Sequence, residues 1–195
     1  MNLKTGRLNL PNLITLARIT AVPAVVLLML SPSRENSMWA AAIFGVAAVT
    51  DFIDGWLARK WGVVTVLGKF LDPLADKLIV MAALIMLIPH DRAPAWAVIL
   101  ILSREMIVTG LRSIASSEGI VIDASNLGKY KTIYQMVAIP GLMLHYDYYW
   151  FFGLQWDFFR VNMHNFGIFF FYIALGLTVW SGIDYLHKFF RVLTR

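Results

Sequence analysis

Residues 51–76 read DFIDGWLARKWGVVTVLGKFLDPLAD, with four carboxylates set between hydrophobic runs. Asp51 and Asp54 are three positions apart and Asp72 and Asp76 four apart, so on helices each pair falls on one face, roughly 40° to 60° apart. Two such helices facing each other converge four acids. Like charges a few Å apart in an apolar setting force protonation or recruit cations. The donors are all oxygens and the chain has no cysteine, which favours a hard ion, Mg²⁺ or Mn²⁺, over Zn²⁺. The expected metal ligands are therefore Asp51, Asp54, Asp72 and Asp76. Between them Gly55, Ala58 and Gly68 present almost no side chain and let a ligand approach closely. Arg59 offers a planar fork for a phosphate oxygen. Together these residues describe a phosphoryl-transfer site built on positioning and charge neutralisation.

The spacing DxxDGxxAR, eight residues, then GxxxDxxxD is filled by Asp51, Asp54, Gly55, Ala58, Arg59, Gly68, Asp72 and Asp76. Close helix packing alone accounts for Gly55 and Ala58, and an N-cap for Asp72 before Pro73, but neither accounts for all eight positions. The stretch resembles, residue for residue, the signature of the CDP-alcohol phosphatidyltransferase family. That resemblance implies a CDP-diacylglycerol donor gripped by Gly55, Ala58, Arg59 and Gly68, two divalent ions, CMP release, and Asp76 as the base.

With 59% hydrophobic residues, 15% charged residues and a mean hydropathy of +0.67 over 195 residues, the chain is too apolar for a soluble domain of its size. The formal charge of +5 points to anionic lipid and anionic substrate, not to nucleic acid. Apolar runs end near Leu30 and recur near 39–57, 70–88, 94–115, 132–150 and 166–187, each close to the roughly 20 residues that cross a bilayer. The expected fold is all-α, one domain over residues 1–195 with six membrane spans; the family resemblance implies in addition an N-terminal interfacial segment. The first run contains Arg18 and lacks a small-residue cleavage site near Ser31 and Pro32, so it reads as a retained span, not a signal peptide. Pro11, Pro73, Pro89 and Pro94 mark proposed span ends, and Pro140 a kink inside the fifth span.

Lys4, Arg7, Arg59, Lys60, Lys69, Lys129, Lys131, Lys188, Arg191 and Arg195 fall on one side of such spans, against Arg34, Arg92 and Arg160 on the other. The basic excess puts both termini and the carboxylates on the cytoplasmic side. Residues 145–165 carry a cluster of Tyr, Trp and Phe that reads as an outer interfacial belt. His90, His145, His164 and His187 are scattered without ligand spacing, and none is assigned a metal.

A second candidate group lies beyond. Arg104 stands about 15 Å into its helix from residue 94, and a charge at that depth is expensive unless it has a role. Its counter-charge is either its neighbour Glu105 or a group on another helix. Arg104, Arg112, Lys129, Lys131 and Thr132, with Arg18 from the polar stripe Asn12, Thr15 and Arg18 of the first span, are the candidates for an acceptor phosphate.

Outside the signature, PNLITLARI, LSREMIVTGLR and LGKYKTIYQ resemble the bacterial branch of the family that accepts a phosphorylated glycerol. What that implies is sn-glycerol 3-phosphate as acceptor, a homodimer, and a multi-pass protein of the bacterial cytoplasmic membrane with its active site facing the cytoplasm. Residues 145–165 are longer than that branch leads one to expect. The competing expectations are a sister enzyme with serine, an inositol phosphate or phosphatidylglycerol as acceptor, and a membrane cation transporter whose acids bind ions in transit.

Overall fold

The computed structural model describes residues 10–61, 66–120, 126–149 and 160–193, and side chains within 16–50, 74–120, 128–148 and 161–192. The expected N-terminal interfacial segment falls largely on residues 1–9, outside the described residues. Among the described residues there are six helices: α1 Leu10–Leu30, α2 Arg34–Trp61, α3 Val66–Leu87, α4 Ala95–Ser117, α5 Asn126–Leu144 and α6 Met163–Leu193. The helical expectation holds, with one addition. A short antiparallel ribbon pairs β1, Asp147–Tyr149, with β2, Arg160–Asn162, in the register Tyr148 to Val161.

The helix ends have local causes. Pro94 precedes α4 in extended conformation, where its missing N–H costs nothing. At the other end Gly119 takes φ +71, its N–H bonds the Ser116 carbonyl and Ile120 N–H bonds the Ala115 carbonyl, a left-handed glycine cap. The fifth run ends at Leu144 instead of continuing to 150, because His145 turns to φ +56 and leaves the helical region. Pro140 lies inside α5 as expected. Pro73 lies seven residues inside α3, not at its start.

The chain forms two compact units, Met1–Met86 and Leu87–Arg195. In the first, α1 packs on α2 through Val25 and Met29 and through Ala40, Ala41, Phe44 and Ala47, positions that recur at helical spacing. In the second, α6 packs on α5 and α4. Its buried stripe runs through Gly167, Phe171, Ala174, Leu175, Thr178, Ser181, Gly182, Tyr185 and Phe189, apolar at the start and polar further on. The α5/α6 crossing is close enough that a Cβ added at Gly167 would stand 2.5 Å from Leu142 N and 2.7 Å from Gly141 C.

Outside these stripes the helices expose large apolar side chains, including Leu27, Trp39, Met106 and Trp180, each more than 60% accessible. Among the described residues Met163–Val192 is long and apolar enough to cross a membrane. α4 carries Arg104, Glu105 and Arg112 within it, which lowers its hydropathy and marks it as a helix with a polar task.

The ribbon is anchored by charge and aromatic contacts. Arg92 is buried, donates to the Met143 carbonyl and lies 5.6 Å from the Tyr146 ring centre. Although they are distant in sequence, His145 and His164 meet with their Nδ1 atoms 3.1 Å apart, so one ring donates and the other accepts. Burial, then the Arg92 guanidinium and His164, hold His145 below its usual 6.5.

Two outcomes are expected. Gly167→Ala should destabilise the fold by about 2 to 3 kcal/mol, read as a lowered thermal midpoint, since neither colliding backbone can move freely. Gly176→Ala on the same helix, where nothing lies within 4 Å, should be neutral or stabilising; equal effects would refute the crossing. Second, because the folded ribbon binds fewer protons than the unfolded one just below pH 6.5, its stability is complete above that pH and declines as pH falls toward the lowered value. Protection factors at Tyr146–Tyr148, corrected for the intrinsic exchange rate at each pH, should fall between pH 7 and 5.5, and the fall should shrink in His145→Phe, where the lowered His164 alone remains.

Candidate active site

Asp51, Asp54, Gly55, Ala58 and Arg59 lie in the last third of α2, and Gly68, Asp72 and Asp76 in α3. Both stretches are helical. The side chains of residues 51–73 lie outside the described residues. Asp76 is described: it is partly exposed, and its Oδ1 accepts from Nη1 of Arg18 at 2.5 Å. Arg18, expected at the acceptor phosphate, is buried on α1 and pairs with a carboxylate of the signature. An arginine so held fixes the orientation of that carboxylate. The donor set of this stretch remains all-oxygen, which fits a hard divalent ion and not a thiolate-bound one.

In the second unit the structure brings five expected residues into one cavity of about 420 Å³. Its lining includes Arg104, Arg112, Lys129, Lys131 and Thr132, together with Glu105, Val108, Gly128, Ser181 and Tyr185. Helical spacing explains the gathering. Arg104, Val108 and Arg112 are i, i+4, i+8 on α4, Gly128 and Thr132 are i, i+4 on α5, and Ser181 and Tyr185 are i, i+4 on α6.

Glu105 organises the cations. Its Oε1 accepts from Lys131 Nζ and, at 3.2 Å, from Arg104 Nη1. Arg104 Nη2 donates to Ser181 Oγ at 2.9 Å. Arg104 is thus paired both with its chain neighbour and with another helix. Gly182 makes room for it, since a Cβ there would stand 2.9 Å from Arg104 Cγ. Arg112 lies over the Tyr185 ring at 5.9 Å, a cation–π distance. Lys131 is buried and Lys129 is exposed. With four cations and one carboxylate in its lining, the cavity is built for an anion.

Ser181, Tyr185 and Glu105 were not among the sequence candidates for the acceptor. The spacing of Ser181 and Tyr185 on one face near the end of an apolar helix was the available signal.

The family model for CDP-alcohol phosphatidyltransferase matches residues 8–180. The chain belongs to the CDP-alcohol phosphatidyltransferase family. Among curated relatives, a CDP-diacylglycerol--glycerol-3-phosphate 3-phosphatidyltransferase of Bacillus subtilis is 42% identical, over 95% of this chain and 97% of its own length. The Haemophilus influenzae protein of that name is 37% identical, over 92% of each chain. That of Rickettsia bellii is 43% identical, over 70% of this chain and 75% of its own. The family match runs through both compact units, so it takes in the Asp-bearing helices and most of the cavity wall.

If Glu105 balances Lys131 and Arg104, Glu105→Gln should destabilise this phosphatidyltransferase by about 3 kcal/mol, because removing one partner leaves a buried charge. Glu105→Gln with Lys131→Met should recover much of the loss. Thermal midpoints of the two single variants and the double variant give the coupling; strict additivity would remove Glu105 from that role.

Proposed function

We propose that the protein transfers the phosphatidyl group of CDP-diacylglycerol to sn-glycerol 3-phosphate, forming phosphatidylglycerophosphate and CMP. The observation that carries the acceptor is the convergence of Arg104, Arg112, Lys129 and Lys131 on one cavity with Glu105 as the balancing carboxylate. A phosphomonoester dianion matches that excess. Serine or another neutral acceptor does not call for it. The names of the relatives support the same donor and acceptor.

Asp51, Asp54, Asp72 and Asp76 are the proposed holders of two Mg²⁺ or Mn²⁺ ions. When bound, such ions neutralise a pyrophosphate and polarise its phosphorus. Gly55, Ala58 and Gly68 admit the nucleotide and Arg59 clamps the diphosphate. Asp76, oriented by Arg18, takes the proton from the acceptor C1 hydroxyl. The new bond joins that oxygen to the phosphorus bearing diacylglycerol, the bond from that phosphorus to the bridging oxygen breaks, and CMP leaves in line. Arg104, Arg112, Lys129, Lys131 and Thr132 hold the acceptor phosphate. Arg18 belongs with the carboxylates in this reading, by virtue of its pairing with Asp76. The apolar groove between α1 and α2, lined by Ala17, Ala21, Ala42, Val46 and Ala47 and reaching Thr50, suits a donor acyl chain beside the first signature acid.

The setting proposed is a single domain over residues 1–195 with six spans, in the bacterial cytoplasmic membrane, as a homodimer, with the site and both termini on the cytoplasmic side. The exposed apolar side chains and the basic bias of the connections support it.

Purified enzyme given CDP-diacylglycerol should release CMP with sn-glycerol 3-phosphate and far less with serine, an inositol phosphate or phosphatidylglycerol. Chelation should abolish release. Arg112→Ala and Lys129→Ala should each raise the acceptor KM roughly 10-fold with little change for the donor. Asp76→Asn should remove turnover while metal-dependent CDP binding persists. A preference for another acceptor, or metal flux without nucleotide dependence, overturns the reading.

A further inference from the structure

Among the described residues of the cavity wall, two polar atoms are buried without a hydrogen-bond partner, Tyr185 Oη and Arg104 Nε. Tyr185 is 4% exposed. A phenol hydroxyl shut away from water ordinarily finds a partner, and an orphan facing a cavity is completed by whatever enters it. Its surroundings specify what that is. The ring is covered by Arg112. Ser181, one turn earlier on α6, holds Arg104. Lys129 and Lys131 line the same space. Apart from Glu105, already engaged by two cations, the charged groups here only donate. The entering group must therefore be rich in acceptors, and Tyr185 adds a donor without adding charge.

We infer that Tyr185 is a further acceptor-binding residue, whose hydroxyl donates to an oxygen of the phosphomonoester seated among Arg104, Arg112, Lys129 and Lys131. The inference rests on the proposed reading of this cavity. It adds α6 to a site that the sequence drew from α1, α4 and α5 alone.

The test is Tyr185→Phe in the full-length enzyme, assayed beside Lys129→Ala. Loss of the hydroxyl should raise the acceptor KM about 5- to 20-fold and leave the donor KM unchanged. Inorganic phosphate, competing with the acceptor, should lose inhibitory strength by a similar factor. The thermal midpoint should stay level or rise, because an orphaned hydroxyl is removed and no bond is lost. A lowered midpoint with an unchanged acceptor KM would make Tyr185 structural and overturn the inference. A raised KM with unchanged phosphate inhibition would put the hydroxyl on another part of the acceptor, and overturns it too. If Lys129→Ala raises the acceptor KM and Tyr185→Phe does not, the cavity reading survives and the inference fails. If neither changes it, the cavity reading itself fails.

Discussion

A carboxylate on α4 holds two cations, one on its own helix and one on α5, and the second unit is arranged around that contact. Glu105 receives Lys131 and Arg104, in helices whose other surfaces are apolar. Unbalanced charges at such positions would be costly to shelter. With Glu105 in place, Lys131 and Arg104 are fixed with their stems buried, and the cavity keeps a surplus of positive charge in defined directions. That surplus suits the cavity to the phosphate proposed for it.

The same economy governs the first unit. Arg18 would be an isolated cation inside α1, and Asp76 one of four acids in the signature. Their pairing lowers the cost of both and orients the carboxylate proposed as base. Close helix approach makes these contacts possible. Gly182 admits the Arg104 stem and Gly167 lets α6 meet the α5 backbone, while small side chains along α1 and α2 leave a groove open beside the signature. Small residues therefore act here by the space they leave for charged side chains, as much as by packing.

The divergences from the sequence reading share a cause. Hydrophobic runs report which residues avoid water but not the backbone angle that ends a helix, so the fifth run was read to 150 although His145 turns at 145. The ribbon at 147–149 and 160–162 lies in an aromatic segment where an interfacial belt and a strand have similar composition. Arg18 is basic and lies on a polar stripe, which fits a phosphate contact and an ion pair equally well. Its partner, 58 residues away, could not be read from spacing. Tyr185 carries no signal of its own in the sequence, since a tyrosine in an apolar helix is ordinarily core or belt.

By itself the sequence determined the helical class, because apolar runs of helical length dominate it, and it carried the eight-position signature whose resemblance named the family. It also picked out the cations whose placement in apolar runs needs a reason. Only the tertiary structure decided which charges meet: Glu105 with Lys131 and Arg104, Arg18 with Asp76, Tyr185 without a partner at the cavity wall. Pairing depends on which faces of distant helices are brought within about 3 Å of each other, and that is fixed by packing between elements, which local spacing does not encode.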